Sequence, residues 1–183
     1  MNKRFLILSG LILAAAISRL IPHPYNFAPI GAMSLFGAAY FSDKKFSFIM
    51  PLVAMFISDL LINNILYASF YKSFTLFTPG FYWIYGAIAL IVLTGMFLLK
   101  KISFTRVLTG SLAASVIFFV ITNIGTWIGN PMYPQTFQGL ILCFEAAIPF
   151  FHNTLVGDVF YCGVLFGGFE FIKAQVPSLQ KVS

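Results

Sequence analysis

Four charged side chains sit in or beside long apolar runs of this chain: Arg19, Asp59, Glu145 and Asp158. A charge near the centre of a bilayer costs at least ~2.5–3.5 kcal/mol on insertion scales, so such residues face a partner or a wet cavity. His23, Asn26, Asn63, Trp127, His152 and Asn153 lie toward the same ends of the runs as Arg19, Asp59 and Glu145. Together they could line a cavity with apolar walls and a few convergent polar groups. Aromatic side chains would stack on a ligand ring, while Arg19 and the carboxylates would set its polarity and register. The competing reading is structural: Arg19 or the Asn side chains pair with carboxylates to hold helices together, a role that also suits Asp158. His23, between two prolines, equally suits an interfacial turn.

Signatures of catalysis are scarce. The chain has no G-x-x-x-x-G-K-[ST], H-E-x-x-H, C-x-x-C or G-x-S-x-G. It therefore hydrolyses no nucleotide by a recognisable motif, and energised transport would draw on partner subunits or an ion gradient. No resident cofactor or metal site is expected. Cys143 and Cys162 lie inside apolar runs and read as small buried hydrophobes. The alternative is a soft ligand for the metal centre of a bound molecule. Two other function classes stay open. One is an intramembrane enzyme using Asp59 or Glu145 with His152 as acid and base, although no spacing is specific to it. The other is a membrane scaffold that transports nothing.

The elements that must position these residues follow from hydropathy. Of 183 residues 60% are hydrophobic and 9% charged, and the mean hydropathy is +0.92. So few charges could not cover that much apolar surface, which excludes a soluble domain. A net charge of +6 would suggest nucleic acid in a soluble protein. Here it falls at alternate gaps between apolar runs: Lys3 and Arg4, then Lys44 and Lys45, then Lys100, Lys101 and Arg106, then Lys173 and Lys181. Cytoplasmic loops retain Lys and Arg, so both termini are expected inside a bacterial inner membrane, with six crossings, anionic headgroups as the basic partners and no nucleic acid.

The expected spans are about 5–21, 27–41, 46–67, 81–99, 107–128 and 154–172, an all-α bundle forming one membrane domain. Lys3, Arg4 and the run Phe5 to Ala16 also resemble a signal peptide, but the apolar run continues to Ile21. Gly10, Ala14 and Ser18 form a small-residue stripe suited to helix packing. The second span, at roughly 22 Å, is short for a hydrocarbon core of about 30 Å and is rich in small residues, so it should pack inside the bundle. Phe137 to Phe151 contains Glu145 and Pro149, an expensive combination against lipid, so a short external or re-entrant helix is expected there. It would bring Phe150 to Asn153 opposite the proline-rich loop Pro22 to Pro29 as two rims of one cavity, with Arg19 near Glu145.

Three stretches carry a family resemblance. The first is Arg19 to Met33 with Leu35 to Phe41, the second Ile57-Ser58-Asp59-Leu60-Leu61, and the third Ile148 to Asp158 with its Pro-Phe…Gly-Asp order. They resemble the substrate-binding S component of energy-coupling factor (ECF) vitamin transporters, and more narrowly an uncharacterised branch of transport proteins within that group. The resemblance implies a six-helix bundle that binds a vitamin or similar nutrient near the outer face. It also implies a membrane coupling subunit with two ATPases, which would meet the stripe matched by Gly10, Ala14 and Ser18. Among nutrients, a corrinoid is singled out because His and Cys residues could meet cobalt and solitary vitamin carriers occur in the resembled superfamily.

Overall fold

A computed structural model describes residues 3–176 and Leu179. Among them the chain is helical throughout: α1 (Lys3–Ile17) with a 3-10 turn at Ser18–Leu20, α2 (Ile30–Tyr40), α3 (Lys44–Leu61) extended by a π-helical turn at Ile62–Leu66, α4 (Ala68–Tyr71), α5 (Phe81–Leu98), α6 (Phe104–Gly129) and α7 (Phe137–Gln175). Four segments are long and apolar enough to cross a membrane: Lys44–Leu66, Phe81–Leu98, Phe104–Gly129 and Phe137–Gln175. The short connections 41–43 and 99–103 make neighbouring helices antiparallel.

The ends of these elements follow local chemistry. Asp43 caps α3 by accepting from the Lys45 N–H, and Ser103 and Thr136 cap α6 and α7 in the same way. Gly80, at φ 78°, takes the left-handed conformation that lets the chain turn into α5. The π-helical turn carries Asn63 and ends the third span.

α2 is the pillar of the bundle. It has 11 residues, and every one except Ala39 is buried. It packs against α1, α3, α5, α6 and α7. Phe36 is fully buried and sits edge-on to Phe166 and Phe169 of α7. A helix apolar on all sides belongs in a core, and this one is only roughly 16 Å long at the α-helical rise. Its N-terminus has no cap from its own sequence, because Pro29 stands at that position. The cap comes from α7. The buried Asp158 carboxylate accepts from the backbone N–H groups of Gly31 and Ala32 and from Ser115 Oγ at 2.6 Å. Gly31 is required for this approach, since a Cβ there would stand 2.5 Å from Asp158 Oδ1.

The expected break near residues 151–154 is absent. Phe137–Gln175 is one helix of 39 residues, about 58 Å long and so far longer than a hydrocarbon core. Pro149 removes only the rung to the Glu145 carbonyl. Both residues are exposed, so the freed carbonyl is not trapped in the core, and the helix runs on. The separate re-entrant helix is thus replaced by a projecting first part of α7. The second span begins at Ile30 rather than Phe27, because the Pro29 ring disfavours helical backbone at the preceding residue, Ala28.

Lys3, Arg4, Lys44, Lys45, Lys100, Lys101, Arg106 and Lys173 all collect at one end of the bundle; Lys181 lies outside the described residues. At that end Tyr40 donates to Glu170 at 2.7 Å, Lys173 pairs with Glu170 at 3.1 Å, and Arg4 donates to the Tyr40 carbonyl at 3.2 Å. These contacts tie α1, α2 and α7 together.

Candidate ligand-binding cavity

Because α2 is short, the far end of the bundle has no central helix, and a cavity of about 550 Å³ occupies that place. This lies within the usual size range of small-molecule sites, ~300–1,000 Å³. Its walls come from the start of α5 (Trp83, Ile84), the second half of α6 (Phe118, Phe119, Thr122, Asn123, Thr126) and α7 (Ala147, Thr154), with Asn26 at the rim. Ile84 and Phe118 also pack on the cluster of Ile30, Met55 and Ile88, which closes the floor above α2. Asn26, Pro79, Thr126 and Gly129 are exposed and form the mouth.

Trp83 fixes the width. Gly125 of α6 lies flat against its indole, and any Cβ there would overlap the ring. The indole Nε1–H is buried and has no partner. Asn26 holds φ at 63°, the left-handed region that Asn tolerates better than most residues.

The expected site residues divide into separate groups. Arg19 does not meet Glu145. It pairs with Asp59 at 2.8 Å, with side chains 13% and 20% exposed, and the same guanidinium nitrogen reaches Ser58 Oγ and Met55 Sδ. This ties the end of α1 to α3, with Tyr85 in electrostatic reach of both charges. Asn63 is buried and its Nδ2 has no partner, but neither it nor the ion pair lines the cavity. Trp127 donates to the Pro134 carbonyl at 2.9 Å and so pins the α6–α7 turn. His23 hydrogen-bonds the Ile21 carbonyl at 2.7 Å, and Glu145 and His152 are exposed. Glu145 and His152 lie two helical turns apart on α7, roughly 10 Å along its axis, too far for a direct acid–base pair. Cys143 and Cys162 are both buried. They stand roughly 28 Å apart along the same helix, so they cannot serve one metal centre.

Two expected segments do come together. Asn153 Nδ2 donates to the Tyr25 carbonyl at 2.9 Å, and the Tyr25 and Phe150 rings meet edge-on with centroids 6.3 Å apart. They touch directly instead of facing each other across the cavity, and of the expected residues only Asn26 lines it. Of the small-residue stripe, Ser18 bonds Tyr161 at 2.9 Å. Gly10 and Ala14 face outward, so among the described residues Ser18 is the member of the stripe that meets another helix.

Sequence reasoning missed Trp83, Phe118, Thr122, Gly125 and Thr126. Thr122 and Thr126 of α6 and Asn130 just beyond its end recur at four-residue spacing after the apolar run Val116 to Ile121. That uncharged polar stripe on one helical face was the available signal.

No curated protein and no solved structure matches the chain. One family model matches, over residues 1–179 and hence nearly the whole length, and the chain belongs to that family of unknown function, DUF6580.

Proposed function

We propose that this is a substrate-binding membrane protein for uptake of a vitamin-like micronutrient, entering its cavity from the outer face. One observation carries the proposal: a roomy, uncharged, aromatic-walled cavity opens at the end of the bundle opposite most of the Lys and Arg residues, with only Arg19 and Lys72 of the described ones away from the basic end. By the positive-inside rule the basic end is cytoplasmic, so the mouth faces out. With its 3-10 turn, α1 reaches roughly 28 Å, close to a bilayer core. Counting α1 and the buried α2 with the four long segments gives six passes and cytoplasmic termini in a bacterial inner membrane.

The resemblance to ECF S components agrees with this arrangement. On that likeness the outward-facing Gly10 and Ala14 would meet a coupling subunit with two ATPases. The corrinoid expectation drew on His and Cys residues, and His23, His152, Cys143 and Cys162 do not line the cavity. An uncharged organic ring suits its walls better.

The orientation is tested by thiol labelling in intact cells. Both native cysteines are buried, so an introduced cysteine gives the signal. A membrane-impermeant maleimide should label Thr126→Cys in the cavity wall, and should label Lys101→Cys only after permeabilisation. Labelling of Lys101→Cys alone in intact cells would turn the cavity toward the cytoplasm and overturn uptake.

A further inference from the structure

We propose that the cavity selects an uncharged, planar ring compound that presents N–H donors, a substrate class that rests on the uptake role proposed above. The α6 wall sets the hydrogen-bond pattern. The Thr122 hydroxyl donates to the Phe118 carbonyl at 2.7 Å, and the Thr126 hydroxyl donates to the Thr122 carbonyl at 2.9 Å. Each hydroxyl has one hydrogen, so both are spent on the helix and only lone pairs face a ligand. Asn123 commits one amide hydrogen to the Phe119 carbonyl at 2.7 Å and keeps Oδ1 as an acceptor. Acceptors therefore outnumber donors on the α6 wall, while the Trp83 indole N–H across from it has no partner among the described residues, so the complementary ligand brings hydrogens toward α6 and a lone pair for Trp83.

Charge is excluded by the same walls. No carboxylate, guanidinium, ammonium or imidazole lines the cavity. Two nearby charges are already committed, and Glu145, two residues before the lining Ala147, is exposed. Arg19 is held by Asp59 at 2.8 Å. Asp158, one helical turn below the lining residue Thr154, is taken up by Ser115 and the first N–H groups of α2. An ion entering would give up hydration and find no opposite charge, which disfavours it strongly. Trp83, Phe118 and Phe119 offer flat apolar faces instead, against which a planar ring packs well.

Three purines test the class by equilibrium dialysis against the full chain in lipid nanodiscs near neutral pH. Adenine is uncharged and carries amino and ring N–H donors. 6-Dimethylamino-9-methylpurine keeps the ring and has no N–H, and urate is an anion. Adenine should bind at least about tenfold more tightly than the methylated purine, since more than one hydrogen bond is lost, and urate should not bind. Thr122→Val should weaken adenine by about three- to tenfold, one hydrogen bond's worth, while leaving the methylated purine unchanged. A loss of fold would move both ligands together, so the contrast isolates the acceptor. Equal binding of adenine and the methylated purine, tighter binding of urate, or no binding by any of the three overturns the class. Urate binding that Gly125→Leu abolishes would leave the cavity a ligand site and remove only its preference for uncharged donors. The intact-cell labelling uses no purine, so uptake stands or falls separately.

Discussion

Asp158→Ala is expected to destabilise the fold by about 3–5 kcal/mol, because two buried backbone donors lose their acceptor at once. Those donors are the N–H groups of Gly31 and Ala32 at the start of α2; the Ser115 hydroxyl can turn to the Ser111 carbonyl, 3.1 Å away. Asp158 is only 2% exposed, so water does not readily replace it. The helix it caps is the one on which the other long helices pack, so loosening its end loosens the cavity floor. Asp158→Asn keeps one carbonyl oxygen and should cost less. Thermal unfolding in detergent measures both; the alanine variant should melt roughly 10 °C lower, by the usual conversion for a chain of this size. An unchanged melting point for Asp158→Ala would show that α2 needs no cap from α7.

Breaking the Arg19–Asp59 pair from one side is the second large effect. Asp59→Ala would leave a guanidinium 13% exposed with no counter-charge, and removing one partner of a buried pair costs about 3–5 kcal/mol. Replacing both partners, as Arg19→Met with Asp59→Leu, should recover most of the loss, since an apolar pair of similar volume carries no desolvation penalty. A thermodynamic cycle over the two singles and the double reads the coupling directly. Additive losses would mean that the two charges act independently, and that Asp59 has work to do beyond holding Arg19.

Much of the helical frame is legible in the sequence, for a physical reason. The runs that become α5 and α6 are bounded by strong punctuation, Pro79-Gly80 before the first and Ser103 capping the second. Their observed limits, Phe81–Leu98 and Phe104–Gly129, therefore fall within a few residues of the expected 81–99 and 107–128. The small residues of α2 likewise point to the centre of the bundle, where it stands.

Tertiary choices are less legible. Three carboxylates were available to Arg19, and only the packing of α1 on α3 selects Asp59. Pro149 beside Glu145 reads locally as a helix end. It does not end α7, because the lost rung lies on an exposed face. The cavity escaped attention for a different reason. Charged residues stand out in a membrane sequence, yet here Arg19, Asp59 and Asp158 are paired off as struts and Glu145 is exposed. The lining is neutral, with Thr, Asn and aromatic side chains that are ordinary residues of membrane helices and their ends.

The central claim is that the space between Trp83 and α6 holds a small molecule. Native mass spectrometry of protein gently extracted from its own membrane tests it most directly, with Gly125→Leu as the matched control. A leucine there would push the Trp83 indole into the cavity. The protein should retain one small molecule per chain, and the leucine variant should emerge folded and empty. An equal load on both would place the molecule elsewhere, and a protein that is empty in both forms, though folded and never exposed to harsh detergent, would contradict the claim.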